Sequence, residues 1–194
     1  MPGVQLYYDY RSPYAYLAHS QLRLMGQPIS YQPFDIRSVM EQTGNVPTSV
    51  VCKPKNRYVQ ADLRRWVAHY GVPFQRNPDL MELDPRRLLR ATLWLDSKAP
   101  VDAFATAIFE AMWGRPKPLK TLADLAAILR DLGLDDQGFE DVVDDPLWDA
   151  VLNRATTETA ERGVFGAPCM FVGNEMFFGN DRLDFVRAEM ERAA

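Results

Sequence analysis

The sequence predicts an α/β protein in which a βαβ unit and a ββα unit frame a block of helices. Three observations carry that prediction. The first 35 residues alternate apolar and polar with period two on either side of a helical stretch. From about residue 56 to 162 apolar side chains recur with a period near 3.6, and after Gly163 period two returns around Gly173-Asn174.

The first strand is Val4 to Asp9, where Val4, Leu6 and Tyr8 alternate with Gln5, Tyr7 and Asp9. A helix follows from Pro13, with Tyr14, Leu17, Ala18, Leu22 and Met25 at helical spacing and Gly26 and Pro28 closing it. Ile29 to Phe34 is the second strand, and a helical crossover of this kind makes the two strands parallel. In the middle block Val59, Leu63, Trp66, Val67 and Tyr70 form one helix face. Asp84-Pro85 supplies an N-cap and first-turn proline for Leu88, Leu89, Thr92 and Leu93. Phe104, Ile108, Phe109 and Met112 continue the pattern to Gly114, and Thr121 with Asp124 makes a capping box. Pro146 to Arg162 is a last, long helix. Cys169 to Val172 and Glu175 to Phe178 then flank Gly173-Asn174, a two-residue hairpin turn, and Asp181 to Arg192 is a terminal helix.

This order matches a thioredoxin-like fold, with residues 1–35 and 160–194 as its two halves and 36–159 as a predominantly helical insertion. Other α/β and α+β arrangements share the pattern. A chain of 194 residues, 47% hydrophobic, fits one domain with such an insertion.

Charge and cysteine content narrow the function. The net charge is −4 and the lysines and arginines are dispersed, which argues against nucleic acid as a partner. No stretch approaches the roughly 18 apolar residues of a membrane span, and the N-terminus lacks a charged segment followed by a long apolar one. The sequence therefore predicts a cytoplasmic protein that meets no membrane. Cys52 and Cys169 are far apart, so neither a disulfide framework nor a Cys-x-x-Cys pair is present. His19 and His69 are solitary, without the paired spacing of a metal site, and Asp135-Asp136 and Asp144-Asp145 read as caps.

Three stretches carry chemistry. Ser12-Pro13-Tyr14-Ala15 ends strand one and starts helix one, where serine before proline is a helix cap. It is also where a thioredoxin-type protein carries its Cys-x-x-Cys, with serine and alanine replacing the two cysteines. The Ala167-Pro168 bond fits either a trans turn proline or a cis bond, and the cis form would leave the Ala167 backbone open to an extended peptide. In Phe177 to Arg182, Asn180 or Asp181 is either an N-cap or part of a helix start that holds a carboxylate.

Taken in order, Tyr10-x-Ser12-Pro13-Tyr14-x-Tyr16-Leu17-Ala18, Lys55-x-x-Tyr58-x-x-x-Asp62-x-x-Arg65-Trp66, Gly71-x-Pro73, Met112-Trp113-Gly114, Val164-Phe165-Gly166-x-Pro168 and Gly179 to Leu183 resemble the 2-hydroxychromene-2-carboxylate isomerase family. The resemblance covers essentially the whole chain. That family belongs with the kappa-class glutathione transferases among DsbA-like thioredoxin folds. The resemblance implies a glutathione-dependent homodimer that interconverts 2-hydroxychromene-2-carboxylate and trans-o-hydroxybenzylidenepyruvate in naphthalene breakdown. It implies that Ser12 faces the glutathione sulfur, with Pro13, Tyr14 and Ser49 in the same site. Ala167 and Pro168 would take the cysteinyl backbone, and Asn180 with Asp181 the γ-glutamyl end. Lys55 would be the cation beside the substrate's carboxylate and developing enolate, flanked by Asn45 and Tyr58.

A free thiol titrates near pH 8.5 and reacts as the thiolate. A hydroxyl from Ser12 and the positive end of helix one each favour the anion by about 1 kcal/mol. Thiolate addition would make the conjugated double bond single for long enough to rotate, so the nucleophile is the glutathione sulfur and not Ser12. By itself Lys55 reads as surface, Cys169 as a core thiol or a mixed-disulfide partner, and Trp113 and Phe177-Phe178 as core or as walls of an aromatic pocket. A kappa-class-like glutathione transferase or peroxidase, and a redox-inactive glutathione-binding protein, are the alternatives.

Overall fold

The computed structural model describes residues 3–47 and 51–193. Strand β1 (Val4–Tyr8) lies between β2 (Ile29–Pro33), which is parallel to it, and β3 (Cys169–Val172), which is antiparallel. β4 (Glu175–Phe178) pairs with β3 through the hairpin, and the sheet order among the described residues is β2-β1-β3-β4. Helix α1 (Pro13–Leu24) connects β1 to β2. Between β2 and β3 come α2 (Ile36–Thr43), α3 (Lys53–Tyr70), α4 (Pro85–Asp96), α5 (Asp102–Phe109), α6 (Leu122–Asp131), α7 (Phe139–Val142) and α8 (Pro146–Glu161). Helix α9 (Leu183–Arg192) follows β4 after a 3-10 turn over Asn180–Arg182.

The period of two in β1 divides its side chains between the faces of the sheet. Val4, Leu6 and Tyr8 join Met170 and Val172 in one buried cluster, while Tyr7 joins Cys169, Phe171, Phe34, Val39 and Val164 in a second. The first cluster runs on through Leu17 and Leu22 into Trp94, Phe104, Phe109, Trp113 and Leu129, so the sheet and the helical block share one apolar interior. Each fully buried side chain of this size contributes about 1.5–3 kcal/mol. The caps lie where the sequence places them: Asp84 accepts from the Arg86 amide, Asp145 from Leu147, and Thr121 and Asp124 close a capping box.

Five details differ from the sequence reading, each for a local reason. Helix α2 has no counterpart in that reading because it is eight residues long and buries only Val39. Helix α3 starts at Lys53, with Pro54 in its first turn, ahead of the residue near 56 where apolar periodicity begins. The helix through Phe104 ends in a wider π turn over Glu110–Gly114. Asp144 is no cap: its carboxylate meets Arg87 at 2.7 Å and Arg90 at 2.8 Å. Phe178 is 42% exposed on the outer strand, whereas Trp113 is buried and stacks on Phe74.

Candidate active site

Ser12 stands at the junction of three segments distant in sequence. Its backbone is extended (φ −89°, ψ 110°), and its Oγ accepts the Ala15 amide at 3.2 Å, so it is the N-cap of α1. The same hydroxyl donates to the Ala167 carbonyl at 3.1 Å. The Ala167-Pro168 bond is cis. Further ties hold that loop: the Gly179 amide donates to the Pro168 carbonyl at 3.0 Å, and Asn45 Nδ2 to the Phe165 carbonyl at 2.7 Å. The Phe178 ring covers Gly166 so closely that a Cβ there would come within 3.1 Å of it.

Helix α3 supplies the facing wall. The Tyr14 hydroxyl donates to Asp62 at 2.9 Å, and the Tyr58 hydroxyl reaches the other oxygen of the same carboxylate at 3.5 Å. The Tyr70 hydroxyl donates to the Asn180 carbonyl at 2.8 Å. Tyr58, Asp62, Trp66 and Tyr70 recur every fourth residue and so form one stripe along α3. Burial first, and then the Asp62 carboxylate, push the Tyr14 phenol well above its ordinary range, so it stays a neutral donor. Asn180 is buried, and Asp181 is paired with Arg182 at 2.6 Å. Neither side chain caps a helix, which corrects the simpler of the two sequence readings. Gly179 stands at φ +98°, a conformation that L side chains rarely adopt, and a Cβ there would also push the Asp181 carboxylate aside.

The structure thus brings together Ser12, Pro13, Tyr14, Ala167 and Pro168, with Asn180 and Asp181 joined to them through α3. Lys55 and Tyr58 lie on the exposed N-terminal half of that helix. The rise along a helix puts Lys55 about 10 Å before Asp62. Asn45 braces the Phe165 carbonyl, and Ser49 lies outside the described residues.

Sequence reasoning missed the ionic support beneath Ser12. Asp9 is fully buried and receives the Arg11 amide at 2.9 Å and the Ile36 amide at 3.0 Å. Its carboxylate also pairs with the Arg11 guanidinium, which reaches on to Asp35 at 2.6 Å. Asp35 takes Arg86 of α4 at 2.6 Å as its second partner. Nothing in the spacing of 9, 11, 35 and 86 announces this contact. Asp62 and Tyr70, by contrast, are in the sequence reading, one within the Lys55 to Trp66 motif and the other on the helix face.

Cys169 and His19 are buried side chains. Cys169 is buried beyond Pro168, and burial pushes its thiol up to about 12, so it is a core thiol rather than a redox partner. His19 stacks on Phe109, meets the Tyr31 hydroxyl at 3.1 Å, and is held down to about 3 chiefly by burial. Among the described residues no group of three or more His, Cys, Asp or Glu is placed to hold a metal ion, and no helix is long and apolar enough to cross a membrane.

A serine at the N-cap of α1, against a cis-proline loop and with Ala15 three residues on, defines a thioredoxin-type site without a dithiol. Residues 3–191 match the model of the DSBA-like thioredoxin domain. A 2-hydroxychromene-2-carboxylate isomerase from Sphingobium xenophagum is 34% identical over 190 residues, spanning 95% of this chain and 96% of that protein. A solved structure of a 2-hydroxychromene-2-carboxylate isomerase matches with a TM-score of 0.85 at 32% identity, covering 98% of this chain and 95% of that one. Glutathione s-transferase kappa 2 of Caenorhabditis elegans is 26% identical, spanning 93% and 88%. The chain belongs to the DSBA-like thioredoxin family and, within it, to the 2-hydroxychromene-2-carboxylate isomerase family.

Proposed function

We propose that this protein is a glutathione-dependent isomerase that interconverts 2-hydroxychromene-2-carboxylate and trans-o-hydroxybenzylidenepyruvate, a step of naphthalene and related aromatic catabolism. The observation that carries the reading is the Ser12 hydroxyl, set at the start of α1 and 3.1 Å from the Ala167 carbonyl oxygen. The donor set fits a thiol-bearing peptide. Ser12 offers one hydroxyl proton, Ala167 a backbone beside a cis proline, Asn180 an amide, and Asp181 a carboxylate suited to an ammonium. Pro13, Tyr14, Ser49 and Pro168 complete the glutathione site.

Bound glutathione supplies a thiolate for reversible addition to the conjugated double bond of the substrate. In turning toward that sulfur, the Ser12 hydroxyl exchanges the Ala167 carbonyl for another acceptor while the Ala15 amide keeps its bond to Oγ. This donor and the α1 N-terminus each favour the anion by about 1 kcal/mol. Lys55 holds a positive charge toward the substrate's carboxylate and developing enolate, with Tyr58 and Asn45 as the further substrate contacts. Residues 1–35 and 160–194 form the half that supplies all of the glutathione contacts but Ser49, and 36–159 the helical insertion that bears Ser49 and Lys55. The protein works in the cytoplasm as a homodimer: its two free thiols suit a reducing compartment, and exposed Met176 and Phe178 on the outer strand offer apolar surface to a second copy.

The exposed N-terminal half of α3 would also admit varied electrophiles, which favours a kappa-class-like transferase or peroxidase as the second reading. A redox-inactive binder would hold glutathione without turnover. Titration calorimetry with reduced glutathione tests the common premise. The wild type binds and Ser12→Ala binds about tenfold more weakly, by the loss of one charge-assisted hydrogen bond. A wild type that takes up no glutathione overturns the assignment.

A further inference from the structure

Every residue of the turn from Asp9 to Ser12 is pinned. The Ser12 amide donates to the Asp9 carbonyl at 3.0 Å, and Trp113 Nε1 donates to the Tyr10 carbonyl at 2.7 Å. The Arg11 amide and Nε both donate to Asp9 Oδ1, at 2.9 and 3.0 Å, and the guanidinium carries on to Asp35 at 2.6 Å. One cation therefore sits between two buried carboxylates immediately before the hydroxyl that the proposed chemistry uses. Arg11 keeps 17% of its side chain exposed, against 0% for Asp9 and 7% for Asp35. On the far side Asp35 is met by Arg86 of α4, which also holds Asp149 of α8 at 2.7 Å. Arg90 of α4 binds Asp149, Asp84 and Asp144, so it adds no cation to the Asp9 and Asp35 pair. Around the neighbouring Tyr14 the charges are the Asp62 carboxylate of α3 and the Asp181 carboxylate of the turn before α9, the latter paired with Arg182.

We propose that Arg11 is the positioning residue for Ser12, fixing the Asp9–Ser12 turn and offsetting the two carboxylates that would otherwise set a negative potential where the thiolate must lie. The fork of a guanidinium is what this needs, since it binds Asp9 through two nitrogens and still has a hydrogen for Asp35. Without it Asp9 has no cation and Asp35 keeps only Arg86, so an uncompensated negative charge stands in the turn that leads to Ser12 and disfavours the anion. Neutralising Asp35 should do the opposite, because Arg11 would then be opposed by Asp9 alone.

The inference rests on the reading of Ser12 as the partner of a thiol, and its test does not need glutathione. Ser12→Cys combined with Cys52→Ser places a reporter thiol at position 12, with Cys169 buried and silent. Its thiolate is followed by ultraviolet absorbance against pH and by the rate of alkylation with iodoacetamide. On this background Arg11→Met lowers the thiolate fraction at neutral pH about tenfold, and Asp35→Asn raises it about threefold. Asparagine can still cap α2, so the Asp35 variant decides the matter alone if Arg11→Met does not fold. Opposite shifts are what a purely structural role would not produce. Shifts in the same direction, or an Asp35→Asn thiol that titrates with its parent, overturn the proposal. Calorimetry on the wild type reports separately whether glutathione binds, so the two failures are told apart.

Discussion

Helices α1 and α3 face each other across the site and are built in opposite ways. In α1, Ala15, Tyr16, Leu17, Ala18, His19 and Leu22 are buried within 12 residues, whereas α3 buries only Leu63 in 18. The first is held between the sheet and the helical block. The second rests one face on α1 and leaves Lys55 and Tyr58 in solvent. The contrast separates the two tasks of the proposed reaction. The sulfur end is fixed by saturated hydrogen bonds and buried charge before any ligand arrives, and the organic acid meets a wall that is open and long-chained.

If the α1 side is fixed in this way, its weakest point is the buried charge that precedes it. Asp9→Ala leaves the Ile36 amide without its acceptor and Arg11 with Asp35 alone, and should lower stability by about 3–5 kcal/mol, read from urea unfolding. A loss below about 1 kcal/mol would erase the contrast with α3, where surface pairs contribute that little.

Acid probes the same helix at its centre. His19 is neutral when folded because burial, followed by Arg23, holds it down to about 3, while the unfolded chain takes up a proton near 6.5. Its contribution to stability is therefore complete above about pH 6.5 and falls by about 1.4 kcal/mol per pH unit from there toward pH 3. Urea midpoints between pH 7 and 5 should decline accordingly, and His19→Gln should flatten that part of the curve.

The smallest effect belongs to α3. Lys55→Met should raise KM for the organic acid about tenfold, roughly one exposed charge-assisted contact, while glutathione affinity and melting temperature stay at wild-type values. A change in glutathione affinity instead would place Lys55 on the sulfur side.

How far the sequence foretold all this follows the same division. β1, α1, the hairpin and the caps at Asp84, Thr121 and Asp145 are decided by neighbours in the chain, and they lie where local pattern puts them. The role proposed for Ser12 rests on the ordered motifs from Tyr10 to Leu183, since serine before proline is equally a cap; the relative at 34% identity supports the family those motifs name. The Asp9, Arg11, Asp35 and Arg86 chain was invisible because the fold alone makes those residues neighbours. Asp144 was misread for that reason too: a carboxylate before a helix looks like a cap until two arginines of α4 claim it.

In the proposed reaction the protein lends a hydroxyl and glutathione brings the sulfur. Conversion of 2-hydroxychromene-2-carboxylate, followed by absorbance with and without reduced glutathione, tests it most directly. Turnover should require glutathione and fall about 10- to 100-fold in Ser12→Ala, the range for losing one hydrogen bond to a charged group. Equal turnover without glutathione, or an inert chromene carboxylate beside ready conjugation of simple electrophiles, would contradict the account.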